Sequence, residues 1–290
     1  MQYRVGIIGG GGYTAGELLR ILIHHPAVEL AFVHSQSQAG KPVYATHEDL
    51  VGDTELHFTD DLDLSVDVIF LCSGHGKSAS WLGKHQPSTQ TLVIDLSSDF
   101  RLSEDFVYGL PELNREGIRS GRRIANPGCF ATAIQLGLLP LAQAGLLTES
   151  VHIHAITGST GAGQAPTATT HFSWRNNNLS IYKPFSHQHL AEIGRSLAQL
   201  QGDSPVGELL FLPLRGDFTR GIFASMYLET TLTQAQLQSL YRDYYASHPF
   251  THMVAMNPNL KQVVNTNKGL VHLTKHASRA LIVSVIDNLL

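Results

Sequence analysis

Two cysteines in 290 residues cannot build a disulfide framework, and a chain of this size does not need one. Charge is scarce as well: Asp, Glu, Lys and Arg make up only 15% of the chain. The 20 basic residues are outnumbered by 24 acidic ones, which argues against nucleic acid as the main partner, a local patch aside. No apolar run approaches the ~18 residues of a membrane span. Met1 to Gly6 lead straight into a glycine turn, with no room for a signal peptide. With 43% hydrophobic residues and this little charge, disorder is excluded too. The expectation is a soluble, reduced, cytoplasmic protein of one large or two ordinary domains. Glycine (26) and histidine (16) are the abundant residues that point further.

In the first half, short apolar strands alternate with helices. Tyr3 to Ile8 runs into Gly9-Gly10-Gly11-Gly12, and Leu18, Leu19, Leu22 and Ile23 follow at helical spacing until Pro26. Val28 to Val33, Val68 to Cys72 and Thr91 to Asp95 continue as strands, with a helix over Gly76 to His85. That order predicts a parallel sheet covered on both faces, with ligands at the carboxyl ends of its strands. Each end is small or polar: Gly9 to Thr14, Ser35 to Ser37, Ser73-Gly74-His75 and Ser97-Ser98-Asp99. From about residue 150 the pattern changes. Val151 to Ile156 and Ile222 to Thr230 alternate, which predicts antiparallel sheet half-covered by helices. Thr233 to Gln236 reads as a capping box, with Leu237, Leu240, Tyr241 and Tyr244 behind it as core. Lys261 to Thr266 and Leu270 to Val285 add strand-like runs. The fold class is therefore α/β, a Rossmann-type domain over 1–128, followed by an α+β domain with mainly antiparallel sheet over 129–290.

Gly10-x-Gly12-x-x-Ala15 fits the dinucleotide fingerprint, although Gly9 and Gly16 leave other registers open. Glycine lets the backbone approach a pyrophosphate, whose charge the helix N-terminus stabilises. After the second strand an NAD site usually carries Asp or Glu; here the chain reads His34-Ser35-Gln36-Ser37, with Lys41 nearby. Hydroxyls and a lysine suit a 2′-phosphate and favour NADP; the alternative is a polar loop with no cofactor role. Gly9, Gly12, Tyr13, Thr14, Ser35, Ser37, Ser73 and Gly74 are the candidate cofactor contacts in this half.

The two cysteines differ. Cys72 ends an apolar strand and reads as a small buried thiol. Cys129 follows Asn126-Pro127-Gly128 and opens a helix bearing Ala133, Ile134, Leu136, Leu138 and Leu139. The unsatisfied N–H groups of a helix start stabilise a thiolate, so Cys129 is the candidate nucleophile. His187-Gln188-His189 stands at a loop-to-helix junction, and Glu192 lies three residues beyond His189, placed to orient its ring. His152 and His154 point the same way on a strand, but no carboxylate or cysteine completes a zinc site, so no metal is expected.

Taken in order, GGGGYTAGEL (Gly9 to Leu18), DLSSDFR (Asp95 to Arg101), YGLPE (Tyr108 to Glu112), NPGCFAT (Asn126 to Thr132), TGSTGAG (Thr157 to Gly163) and HQHLAE (His187 to Glu192) resemble the N-acetyl-γ-glutamyl-phosphate reductases, relatives of aspartate-semialdehyde dehydrogenase. The resemblance covers essentially the whole chain. It implies a Rossmann domain, an α+β catalytic and oligomerisation domain, and a homo-oligomer, dimer or tetramer. The implied reaction is NADPH-dependent reduction of an N-acylated γ-glutamyl phosphate to the semialdehyde through a cysteine thioester, in arginine biosynthesis. Cys129 matches the family nucleophile, His187 and His189 its paired histidines, one being the acid/base, and Glu192 the glutamate that follows. Ser159 and Gly161 match the segment beside the nicotinamide and the thiol. Arg101, Arg215 and Arg220 are candidate carboxylate or phosphate clamps, and Asn126 a further substrate contact.

Three departures qualify the match. Gln36 stands where some members carry Arg, and Gln188 replaces the middle Arg of His-Arg-His, which suits a different acyl group such as succinyl. The third is the end of the chain: members usually continue with a helix that returns to the first domain, and the sequence stops before it. The competing readings are a relative acting on a different acylated phosphate, a nucleotide-binding protein without turnover, and an acyltransferase using the same Cys–His pair.

Overall fold

A computed structural model describes residues 2–290. The chain divides into two compact units: Met1–Leu110 with Asn114–Pro127, and Pro111–Leu113 with Gly128–Leu290.

The first unit is built on β1 (Tyr3–Ile8), β2 (Val28–His34), β3 (Phe58–Thr59), β4 (Val68–Leu71), β5 (Leu92–Asp95), β6 (Val107–Tyr108) and β7 (Arg123–Ala125). Helices α1 (Tyr13–Leu22), α2 (Lys77–Lys84) and α3 (Pro111–Ser120) belong to the same stretch of chain. The sheet order is β3-β2-β1-β4-β5-β7-β6, and every pair is parallel. The strand sequences are continuously apolar because both faces are covered. Val5, Ile7, Leu19, Val33 and Phe58 pack on one face; Ile8, Phe32, Ile69, Leu71 and Val93 pack on the other. Each such fully buried side chain contributes roughly 1.5–3 kcal/mol. Within α3 the helix breaks at Asn114 (φ −125°, ψ 32°), where the chain passes from the second unit back to the first.

The second unit contains α4 (Cys129–Gln143), β8 (Val151–Thr157), α5 (Phe172–Arg175), β9 (Ser180–Ile181), α6 (His189–Gln201), β10 (Leu209–Arg215), β11 (Ile222–Glu229), α7 (Gln234–Tyr245), β12 (Thr251–Met253), β13 (Gly269–His276) and β14 (Arg279–Ile286). Its sheet runs β12-β13-β14-β11-β8-β10-β9, antiparallel except for the β12–β13 and β8–β10 pairs. The capping box at Thr233 is present, with Gln236 closing it.

Helix α4 is apolar all round and buried from Phe130 to Ala142, apart from Thr132, packed on the sheet with α6 and α7 against it. Pro140 lies inside it and cannot donate to the carbonyl of Leu136. The Tyr245 hydroxyl donates to that carbonyl at 2.5 Å, and the Tyr241 hydroxyl to the neighbouring Gly137 carbonyl at 2.5 Å. Tyr241 of the expected stripe and Tyr245, which lay outside it, thus mend the helix that they pack on, while Tyr244 of the stripe donates to the Glu112 carbonyl.

One strand-like run is not a strand. Lys261 to Thr266 forms a 3₁₀ turn over Leu260–Gln262, started by an Asn259–Gln262 capping box and followed by a left-handed Asn265. Local side-chain bonds to the backbone compete successfully with sheet pairing here.

Candidate active site

Three strand ends meet at the carboxyl edge of the first sheet. Gly9 ends β1 in the left-handed region (φ 80°), and both its amide and that of Gly10 donate to the His34 carbonyl at the end of β2. A Cβ on Gly9 would come within 2.6 Å of the Ser73 backbone, so β4 is equally close. Gly11 and Gly12 by contrast face room: their nearest neighbours would be Ser35 Oγ at 3.8 Å and the Cys72 carbonyl at 4.0 Å. Gly12 caps α1 without a side-chain bond, and no acidic residue occupies the first turn. Helix α2 starts at the same edge but is closed: Asp99 accepts the Gly76 amide at 2.6 Å and the Ala79 amide at 3.0 Å. Burial pushes the Asp99 carboxyl up, yet these amides and Ser97 hold it below its ordinary value. The open end of α1, floored by glycine, is the one that fits a pyrophosphate. Ser35 is buried beside Gly11, Thr14 is half-buried and Tyr13 exposed, and Ser37 lies out on the exposed turn after Ser35. Gly74 is left-handed (φ 90°) and exposed.

Cys72 sits at this edge and is buried, its thiol pushed up to about 12 by burial and then by Asp95. Such a thiol is inert.

The second cluster is in the second unit. Cys129 is half-buried in the first turn of α4, and the Gly128 amide just before it donates to Glu192 Oε2 at 3.0 Å. The other carboxylate oxygen of Glu192 lies 3.8 Å from His189 Nε2, both side chains being buried. Helix α6 begins at His189, so His189 and Glu192, three residues apart, share a face. The His187 ring stands edge-on to His189 at 4.6 Å, and Phe130, next to Cys129, packs against both.

The two histidines differ in state. His187 Nδ1 accepts the His189 amide at 3.2 Å, which fixes Nδ1 as unprotonated. Burial, then Lys183 and Arg215, push His187 down to about 4, so it is neutral at physiological pH. His189 instead faces a carboxylate.

Arg215 ends β10 with its guanidinium 4.7 Å above the Tyr182 ring, and Tyr182 packs on His187 at 5.7 Å. The Tyr182 hydroxyl is pushed up to about 12, chiefly by burial, with Cys129 adding to the effect and Arg215 opposing it. Cys129, His187, His189, Glu192 and Arg215 are thus brought together. Tyr182 was not singled out from sequence; its place five residues before His187 was the available signal.

The remaining candidates have other surroundings. Ser159 and Gly161 lie on a 3₁₀ turn tied down by Phe218, Thr219 and Asn288. Arg220 pairs with buried Asp287 at 3.1 Å. Arg101, in the first unit, is buried and donates to the Asn126 carbonyl at 2.9 Å; the Asn126 side chain is turned to the Pro127 carbonyl. No helix among the described residues is long and apolar enough to cross a membrane. No group of three or more His, Cys, Asp or Glu side chains that could hold a metal ion occurs among them.

Comparison with known proteins assigns the chain. Residues 4–121 match the family described as semialdehyde dehydrogenase, NAD binding domain, and residues 129–288 the semialdehyde dehydrogenase dimerisation domain. The chain belongs to the semialdehyde dehydrogenase family. Among curated relatives, the N-acetyl-γ-glutamyl-phosphate reductase of Phocaeicola vulgatus is 55% identical, covering 99% of this chain and 90% of that protein. That of Flavobacterium johnsoniae is 56% identical, over 98% and 90%. Solved structures share the fold at lower identity. Aspartate semialdehyde dehydrogenase II of Vibrio cholerae superposes with a TM-score of 0.78 at 19% identity, covering 100% of this chain and 94% of that one. The Candida albicans aspartate semialdehyde dehydrogenase with NADP gives 0.71 at 13% identity, over 99% and 94%. The Rossmann-type sheet and the mostly antiparallel second sheet are those of the family.

Proposed function

We propose that this protein reduces N-acetyl-γ-glutamyl phosphate to N-acetylglutamate γ-semialdehyde and phosphate, with NADPH as reductant, in arginine biosynthesis. The observation that carries the reading is Cys129 on the first turn of α4, with Glu192 joining the preceding amide to His189. The names of the curated relatives supply the substrate.

The helix start and the leading amides of α4 favour the Cys129 thiolate, an effect of about 0.5–2 kcal/mol. The thiolate attacks the acyl carbon, the C–O bond to phosphate breaks, and a thioester remains on Sγ. Bound NADPH supplies the hydride that reduces the thioester carbonyl. His189 is the acid/base: Glu192 orients its ring, which donates a proton to the developing oxyanion and later takes it back as the aldehyde forms. His187, neutral and bonded to the His189 amide, holds that ring in place. Arg215, stacked on Tyr182, is the guanidinium for a carboxylate or phosphate of the substrate. Arg101 and Arg220 steady Asn126 and the 219–221 turn from within.

The α1 end and the three converging strands hold the nucleotide. NADP is favoured over NAD because Ser35, Gln36 and Ser37 follow β2 with no carboxylate among them, and Lys41 is the nearest cation along the chain. The match to a dimerisation domain supports a homo-oligomer, and biosynthetic chemistry with free thiols supports a cytoplasmic location.

Cys129→Ser tests the core of the reading. In the reverse direction, phosphate-dependent reduction of NADP with the semialdehyde should fall at least about a thousandfold while NADPH still binds. Retained turnover would remove Cys129 as the nucleophile.

A further inference from the structure

His47 is a buried histidine that the proposed chemistry does not use. It sits between two 3₁₀ turns, Val43–Ala45 and Glu48–Leu50, whose Val43 and Leu50 belong to the core beside α1. Its Nε2 lies 2.7 Å from the Gly10 carbonyl, 37 residues away in sequence. A carbonyl only accepts, so Nε2 carries the proton and donates. The other edge of the ring fills the place of a side chain at Gly16: a Cβ there would come within 2.6 Å of Nδ1. The imidazole is therefore wedged between the glycine turn and the first turn of α1.

That bond determines which way a peptide faces. In a trans peptide the C=O and the following N–H point in opposite directions. Drawing the Gly10 carbonyl inward turns the Gly11 N–H outward, to the open side of the loop. The Gly9 and Gly10 amides are already committed to the His34 carbonyl. Those of Gly11, Gly12 and Tyr13 have no protein partner among the described residues. We infer that His47 is a positioning residue of the nucleotide site, holding the Gly10–Gly11 peptide so that the Gly11 amide donates to the dinucleotide pyrophosphate. This rests on the nucleotide reading above and adds a residue from outside the glycine motif.

The test is binding, not turnover. NADPH is titrated by fluorescence, and adenosine 2′-phosphate, which lacks the pyrophosphate, is measured by calorimetry. His47→Phe keeps the ring and removes the donor; it should raise the NADPH Kd about tenfold and leave adenosine 2′-phosphate within about twofold. His47→Gln, which retains an N–H donor, should recover most of the loss. Gly16→Ala, whose Cβ displaces the ring while His47 itself is retained, should reproduce the His47→Phe effect and carries the test if that variant does not fold. NADPH binding within about twofold of the wild type in these variants overturns the inference, as does an equal loss of both ligands. Failure of the wild type to bind NADPH overturns the nucleotide reading itself.

Discussion

Helices α1 and α4 both begin after a glycine that offers no side-chain cap, yet they use the same positive end differently. At α1 no side chain among the described residues caps the end, and room is left above Gly11 and Gly12. At α4 the protein's own side chains fill the end: Cys129 is in the first turn, and the amide before it donates to Glu192. Helix α2, closed by Asp99, shows the third possibility. A helix start can serve a ligand, a thiolate or a structural carboxylate, and a single side chain decides among them.

Closing α1 in the manner of α2 should produce the largest effect. Gly12 has extended backbone (φ −89°, ψ 166°) and room for a side chain, so Gly12→Asp can cap the helix. It should stabilise the first unit by about 0.5–1 kcal/mol and weaken NADPH by about a hundredfold, read from thermal melts and fluorescence titration. Unchanged NADPH binding would mean that the α1 end is not the anion site.

At α4 the corresponding change is Glu192→Gln, which can still accept the Gly128 amide but removes the charge facing His189. We expect kcat to fall about tenfold and its pH profile to shift, with NADPH binding unaffected. If neither the rate nor the profile moves, Glu192 is a clasp for the backbone and does not tune the histidine.

At His187 the expected effect is on stability and not on binding or turnover. Its pKa is depressed from 6.5 to about 4, so between those values the unfolded chain binds the proton that the folded one refuses. Its contribution is complete above about pH 6.5 and is lost as pH falls toward 4, by at most about 3 kcal/mol. Urea titrations across that range should show a shallower decline in His187→Gln than in the wild type.

The features legible in the sequence were those written in consecutive residues. The glycine turn with its helix, the Pro-Gly-Cys start of α4 and the His189 start of α6 each depend on neighbours within a turn or two. Side chains that act across the chain left no such trace. His47 reaches Gly10 over 37 positions, and Asp99 caps a helix that begins more than twenty residues earlier. Strands β3, β6 and β9, two residues each, are too short to show any period. Lys261 to Thr266 misled because its apolar residues were more evident than the polar caps that bend it.

The tyrosine repair of α4 has a mechanical consequence. A helix missing an internal bond bends easily at that point, and any residue on its far end moves with it. Tyr241 and Tyr245 brace the weak point from outside, so that α7 works as a splint along the rod whose tip bears Cys129. The reactivity proposed for that thiol thereby depends on stiffness set two turns and more away, in residues outside the proposed site.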